Sequence, residues 1–283
     1  MDILLALLPA LAWGNILLVS VKMGGGAYSQ TVGMTIGALF FAIIMYAFTT
    51  PALSLTILIV GFISGLFWAL GQVNQLKTVE RMGVSTTVTI STGMQLVSTT
   101  IFGVIAFHEW TTTTTIILGT IAILLIVIGV VFTSIDDKEN AQPPGQLKQG
   151  IVTLIISTFG YLVYVVIIRW FNVDGWSAIL PQAVGMFVGA VILTAKHKPF
   201  NKYAIRNILS GLLWGTGNLF LFLSQPKVGV ATSFSLSQTG IIISTFGAII
   251  FLGEKKTKRQ MVFIALGSAL IIGGAVLLGM TKS

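Results

Sequence analysis

Cysteine is absent from this 283-residue chain, histidine occurs twice, and Asp and Glu together number only 8. The first absence excludes disulfides, thiolate metal sites, iron–sulfur clusters and a cysteine nucleophile together. His108 and His197, far apart in sequence and with no thiol to join them, cannot assemble a transition-metal site. Charged residues make up 8% of the chain, against about 25% in water-soluble domains. That shortage runs along the whole length, which excludes a soluble enzyme hung on one anchor. Walker A, G-x-S-x-G and H-E-x-x-H patterns are all missing, and no carboxylates pair on a common helical face. Without an acid, base or nucleophile the chain reads as no enzyme, and a membrane-embedded enzyme is the weaker rival. No cofactor is implied. What is abundant is apolar: 55% of residues are hydrophobic, with 31 glycines among the rest. The composition is that of an all-α polytopic membrane protein.

A spanning helix needs about 20 mostly apolar residues, because lipid offers no partner to an open backbone. Ten such stretches can be drawn, at 2–21, 31–49, 55–75, 83–107, 113–133, 149–168, 176–195, 205–224, 228–252 and 260–280. The first lacks a basic leader and a small-residue cleavage site, so it counts as a span. Ten spans place both termini on one side, and Lys and Arg then set the orientation. Loops after the odd-numbered spans carry 13 of the 16 Lys and Arg residues, the largest groups being 196–206 and 255–259. The other side holds Arg169, Lys227 and Lys282. Both termini are therefore expected outside a bacterial plasma membrane. The excess of 16 basic over 8 acidic residues marks topology in short loops, with no nucleic-acid partner implied, and GEKKTKR at Gly253–Arg259 is read as a cytoplasmic charge anchor.

The most polar stretch, Thr133–Gln149, lies near the middle and contains Pro143–Pro144, through which no helix continues. It divides the chain into a first five-helix repeat (1–133), a cytoplasmic linker (134–148) and a second five-helix repeat (149–283). The halves match in three blocks. Gln30–Ala38 (QTVGMTIGA) faces Gln182–Ala190 (QAVGMFVGA), Ser64–Gln72 (SGLFWALGQ) faces Ser210–Asn218 (SGLLWGTGN), and Gly83–Thr92 faces Gly229–Gln238. An odd number of helices per repeat inverts the second half, and such repeats typically hold a substrate near the bilayer midplane.

An ionisable side chain at midspan would be costly and hence functional. None is found there, which disfavours a drug or metabolite exporter working through a buried acid. The spans instead hold amides, hydroxyls and aromatics. The substrate-binding candidates are Trp13, Asn15, Trp68, Gln72, Gln95, Tyr161, Trp214, Asn218 and Gln238. Trp68–Gln72 and Trp214–Asn218 repeat one four-residue spacing, which puts ring and amide on one helical face. Thr89, Thr92 and Gln95, like Thr232, Ser235 and Gln238, form polar stripes. Amides both donate and accept, and a ring offers a flat apolar surface, so together they suit an uncharged polyhydroxylated solute such as a sugar.

The structural readings stand beside these. A single Ser or Thr in a span ordinarily bonds to its own backbone. Gly33-x-x-x-Gly37 and Gly185-x-x-x-Gly189 read as helix packing within or between protomers. Glu109 and Glu254, at matching ends of the fourth and ninth spans, are ordinarily solvated or paired, with gating or proton exchange as the functional alternative. The threonine run Thr111–Thr115 reads as an outer turn and helix start.

GQVNQ (Gly71–Gln75), STGMQLV (Ser91–Val97) and GNLFLFLSQPKVGVATSFSLSQ (Gly217–Gln238) resemble the glucose/ribose porter family of the drug/metabolite transporter superfamily, with the likeness running from Trp13–Gly14 to the last span. The resemblance implies ten helices in two inverted repeats around a central cavity, and sugar import by alternating access with protons, glucose being the first choice of monosaccharide. Oligomeric state is not legible.

Overall fold

A computed structural model describes residues 2–135, 145–228 and 230–281, without the side chains of residues 230–232 and 235. Pro143–Pro144, Lys138, Lys282 and the Thr232 and Ser235 side chains lie outside the described residues. The chain is 87% helical, with no strand among the described residues. In order come α1 (Asp2–Met23), α2 (Ala27–Thr49), α3 (Leu55–Phe107), α4 (Thr113–Thr133), α5 (Gln146–Trp170), α6 (Gly175–Thr194), α7 (Lys202–Arg206), α8 (Ile208–Val228), α9 (Val230–Ser237), α10 (Gly240–Phe251) and α11 (Lys258–Met280). Seven of these, α1 to α6 and α11, are long and apolar enough to cross a bilayer. Their exposed positions are apolar as well, as at Phe48, Leu55, Ile105 and Ile192, which is the surface lipid requires. This is a multi-pass membrane protein.

The polar residues that open these helices are identifiable. Thr112, inside the threonine run, caps α4 by accepting from the Thr115 N–H, and Thr115 returns the bond. Thr257 and Gln260 do the same at α11, and Asp174 accepts from the Ser177 N–H at α6. Each satisfies donors that the first helical turn leaves open.

The division expected between 55–75 and 83–107 falls at Gly83, where two helical stretches of α3 meet at a kink, its φ of 77° departing from helical geometry. Only glycine takes that conformation without strain. The stretch 228–252 is instead two helices, because the hydrogen bonds around Gln238–Thr239 change register. Thr239 and Ile241 N–H groups donate three residues back, to Leu236 and Gln238. The Ser237 and Thr239 hydroxyls also donate to the Phe234 and Leu236 carbonyls, each at 2.6 Å, competing with the regular ladder.

The chain forms two compact units, and each draws on both halves of the sequence. One comprises Met1–Asn15, Met82–Leu147 and Gly217–Ser283; the other comprises Ile16–Arg81 and Lys148–Thr216.

The second unit is built on glycine contacts. A Cβ at Gly37 would overlap the Ile208 carbonyl and lie 3.0 Å from Gly211 Cα, and one at Gly211 would overlap the Met34 carbonyl. One at Gly65 would strike the Gln182 carbonyl, and one at Gly185 the Phe62 carbonyl. Both expected G-x-x-x-G stripes thus serve packing inside the chain: α2 on α8, α6 on α3. Polar contacts follow the same pairs. Ser20 donates to Ser210 at 2.9 Å, and Gln182 Nε2 donates to Ser64 at 2.9 Å.

In the first unit, α4 and α11 meet where Gly129 and Gly267 lie against each other's carbonyl regions. Glu254 closes the break in α3. Its carboxylate accepts from the Val84 N–H and the Ser85 hydroxyl, and from the Ser85 N–H at 3.3 Å. A negative group over a helix start neutralises open N–H dipoles. Glu254→Ala is expected to lower stability by about 1–2 kcal/mol, read as an earlier thermal transition of detergent-solubilised protein. An unchanged transition would remove the cap from the account.

Candidate functional site

The sequence-derived candidates divide between the units, and the second unit gathers four of them. Along α3, Trp68, Gln72 and Gln75 share a face. The neighbouring α5 comes close because both helices carry glycine there: a Cβ at Gly160 would sit 2.6 Å from the Gly71 nitrogen, and Ser157 donates to the Gly71 carbonyl at 2.7 Å. That approach brings the Tyr161 hydroxyl to the Gln72 Oε1 at 2.7 Å and the Gln75 Oε1 at 3.0 Å. Trp68 stands edge-on to Tyr161 and to Trp214 of α8, with ring centroids 6.4 and 6.0 Å apart. Trp68, Gln72, Tyr161 and Trp214 are each 7% exposed or less.

The cluster holds an imbalance. One phenolic proton faces two amide oxygens, and the Gln72 Nε2 has no hydrogen-bond partner among the described residues. A buried donor left open costs about 1–3 kcal/mol. Three rings and an unspent amide donor form an apolar wall with a hydrogen-bonding point, which is chemistry suited to a hydroxylated ring. Gln75 was not singled out as a binding candidate, although its three-residue spacing from Gln72 places it on the same face.

The first unit contains the remaining candidates. Trp13 is half-buried, and a Cβ at Gly217 would overlap its indole. Asn15 donates to the Leu11 carbonyl of its own helix at 2.8 Å. Gln95 donates to the Ser91 hydroxyl at 3.0 Å, and its backbone carbonyl accepts from Thr99 at 2.7 Å. Asn218 is buried. Gln238 occupies the break between α9 and α10 and donates to the Ser237 hydroxyl at 3.2 Å. Of the stripe residues, Thr89 donates to the Ser85 carbonyl at 2.8 Å, the ordinary structural use of a span hydroxyl. Glu109 lies against Gly103, and Glu254 is the cap described above.

The family model for sugar transport proteins matches residues 4–281, almost the whole chain. The chain belongs to the sugar transport protein family. Membership assigns it to transport and not to enzymes. Among its relatives in this family, a putative sugar uptake protein of Bacillus cereus is 88% identical over 283 residues, covering 100% of each chain. The glucose uptake protein GlcU of Bacillus subtilis is 63% identical over 285 residues, covering 100% of this chain and 99% of its own. A solved crystal structure shares the fold of this sugar transport protein at a TM-score of 0.61 and 14% identity, covering 98% of this chain and 95% of that one.

Proposed function

We propose that this sugar transport protein imports glucose across the plasma membrane by alternating access, coupled to proton entry. The observation that carries the reading is full-length identity of 63% to a protein named for glucose uptake. The proposed architecture divides α3 at Gly83 and counts α9 with α10 as one crossing, so that ten crossings form inverted repeats at 1–133 and 149–283, joined by the 134–148 linker. Reciprocal glycine contacts of α2 on α8 and α6 on α3 support it, since each joins the second helix of one repeat to the third of the other. Both termini then face outside, in keeping with the distribution of Lys and Arg.

In the proposed site of the second unit, Trp68, Tyr161 and Trp214 wall in the pyranose and Gln72 bonds its hydroxyls; in the first unit, Trp13, Asn15, Gln95, Asn218 and Gln238 are offered as sugar-binding residues by their chemistry alone. The unspent Gln72 donor supports the amide role. Interruption of the ninth span at Gln238 also supports it, because helices broken within the membrane line substrate paths in many transporters. Glu109 and Glu254 are the carboxylates offered for proton coupling or gating.

Reconstituted vesicles test this directly. Radiolabelled glucose is expected to accumulate above its external concentration when the outside is acidic, and to exceed ribose and a lipophilic cation in a substrate panel. Equilibration regardless of the gradient would remove the coupling and leave a facilitator. Failure to move any monosaccharide would overturn the permease reading.

A further inference from the structure

Repeat-related connections normally keep similar lengths, yet two of them differ here. In the first half, five uncharged residues, 50–54, join α2 to α3. In the second half, residues 195–207 join α6 to α8 and include the short helix α7 and four cations, Lys196, Lys198, Lys202 and Arg206. All four are exposed, and none forms an ion pair among the described residues. The nearby carboxylate, Glu80, is committed to the Ala27 N–H at 2.6 Å.

The segment is fastened to its unit. Asn201 caps α7 by accepting from the Tyr203 N–H at 2.9 Å and donates to the Ser29 hydroxyl at 2.8 Å. Asn207 donates to the Gly24 carbonyl at 3.1 Å. His197 stacks on Tyr28 with centroids 3.8 Å apart, and the Lys77 ammonium lies 5.1 Å from the Tyr28 ring. Between the cations, Phe200 and Ile205 are 59% and 69% exposed.

We propose that residues 196–206 form a fixed foot that seats on anionic phospholipid, with Phe200 and Ile205 entering the acyl boundary and the four cations meeting headgroup phosphates. A soluble anion would be met by the charges alone and would leave both apolar side chains in water. A bilayer surface takes both kinds of group. Charge is needed because a polybasic surface is drawn to anionic lipid, at about fivefold in partition for each cation close to the headgroups. Assignment of the foot to the cytoplasmic leaflet rests on the proposed orientation; the lipid preference does not.

The test uses the full chain in nanodiscs of equal phosphatidylglycerol and phosphatidylcholine, followed by native mass spectrometry of the lipids it retains. Wild type is expected to hold phosphatidylglycerol in excess. The variant with Lys196, Lys198, Lys202 and Arg206 all replaced by Gln should fall towards the bulk ratio, while exchanging Lys for Arg and Arg for Lys at those positions should keep the excess. No excess in wild type, or the same excess in the Gln variant, would overturn the proposal. So would displacement of the lipid by free glycerol phosphate, which would identify a soluble-anion site. Because the chain has no native cysteine, Lys198→Cys in right-side-out vesicles reports the leaflet. Labelling by an impermeant maleimide only after the vesicles are opened supports the cytoplasmic side. Labelling of intact vesicles would overturn the orientation while leaving a measured lipid preference standing.

Discussion

Gly37→Leu is expected to leave no folded protein extractable from the membrane, whereas Gly273→Leu, the same change in another apolar helix, should be neutral or slightly stabilising. At Gly37 an added Cβ would meet the Ile208 carbonyl and Gly211 Cα, which are backbone atoms of α8. Backbone cannot turn aside as a side chain can. Overfilling a packed core costs about 1–3 kcal/mol where neighbours can shift. Here the helices must separate, which breaks the neighbouring Ser20–Ser210 bond as well, and a cost above about 4 kcal/mol follows. Membrane helices have little hydrophobic drive towards one another, so the close approach that glycine allows is itself much of the association energy. At Gly273 a Cβ meets no described atom within 4 Å, and leucine forms helix better than glycine by nearly 1 kcal/mol. Size-exclusion profiles and thermal transitions of both variants in one detergent decide the matter. A monodisperse, wild-type-like Gly37→Leu would show that the α2–α8 contact is not needed.

Gln72→Ala is expected to reduce glucose uptake by about ten- to a hundredfold in kcat/KM, equivalent to one hydrogen bond to substrate, while stability holds or rises. The opposed signs matter. In wild type the Nε2 is buried without a partner, so its removal takes away an unsatisfied donor, and Tyr161 keeps Gln75 as an acceptor. A purely structural Gln72 would lower the thermal transition and uptake together. Uptake at the wild-type rate would take this amide out of the site.

The membrane character and most helices were legible because they rest on composition and period. The threonine run announced the start of α4 because capping is a local device. The helical run through residues 76–82 was not legible, since Lys77, Glu80 and Arg81 read as a charged loop between two spans. The division of the ninth span was hidden for a related reason: Ser237, Gln238 and Thr239 are common span residues, and only their hydrogen bonds reveal the change of register. Trp68 and Tyr161 were chosen for residue type, and the meeting of Tyr161 with Gln72 depends on Gly71 and Gly160, 89 positions apart in sequence. The Glu254 cap is likewise invisible in sequence, because its partners Val84 and Ser85 lie about 170 residues upstream.

The interleaved make-up of the two compact units also sets an order of assembly during synthesis. Everything needed for Ile16–Arg81 with Lys148–Thr216 has been synthesised by residue 216, so that body can consolidate before the other. Met82–Leu147 must meanwhile wait in the bilayer for partners beyond Gly217. Its helices are thus the stretch most exposed to membrane quality control before translation ends.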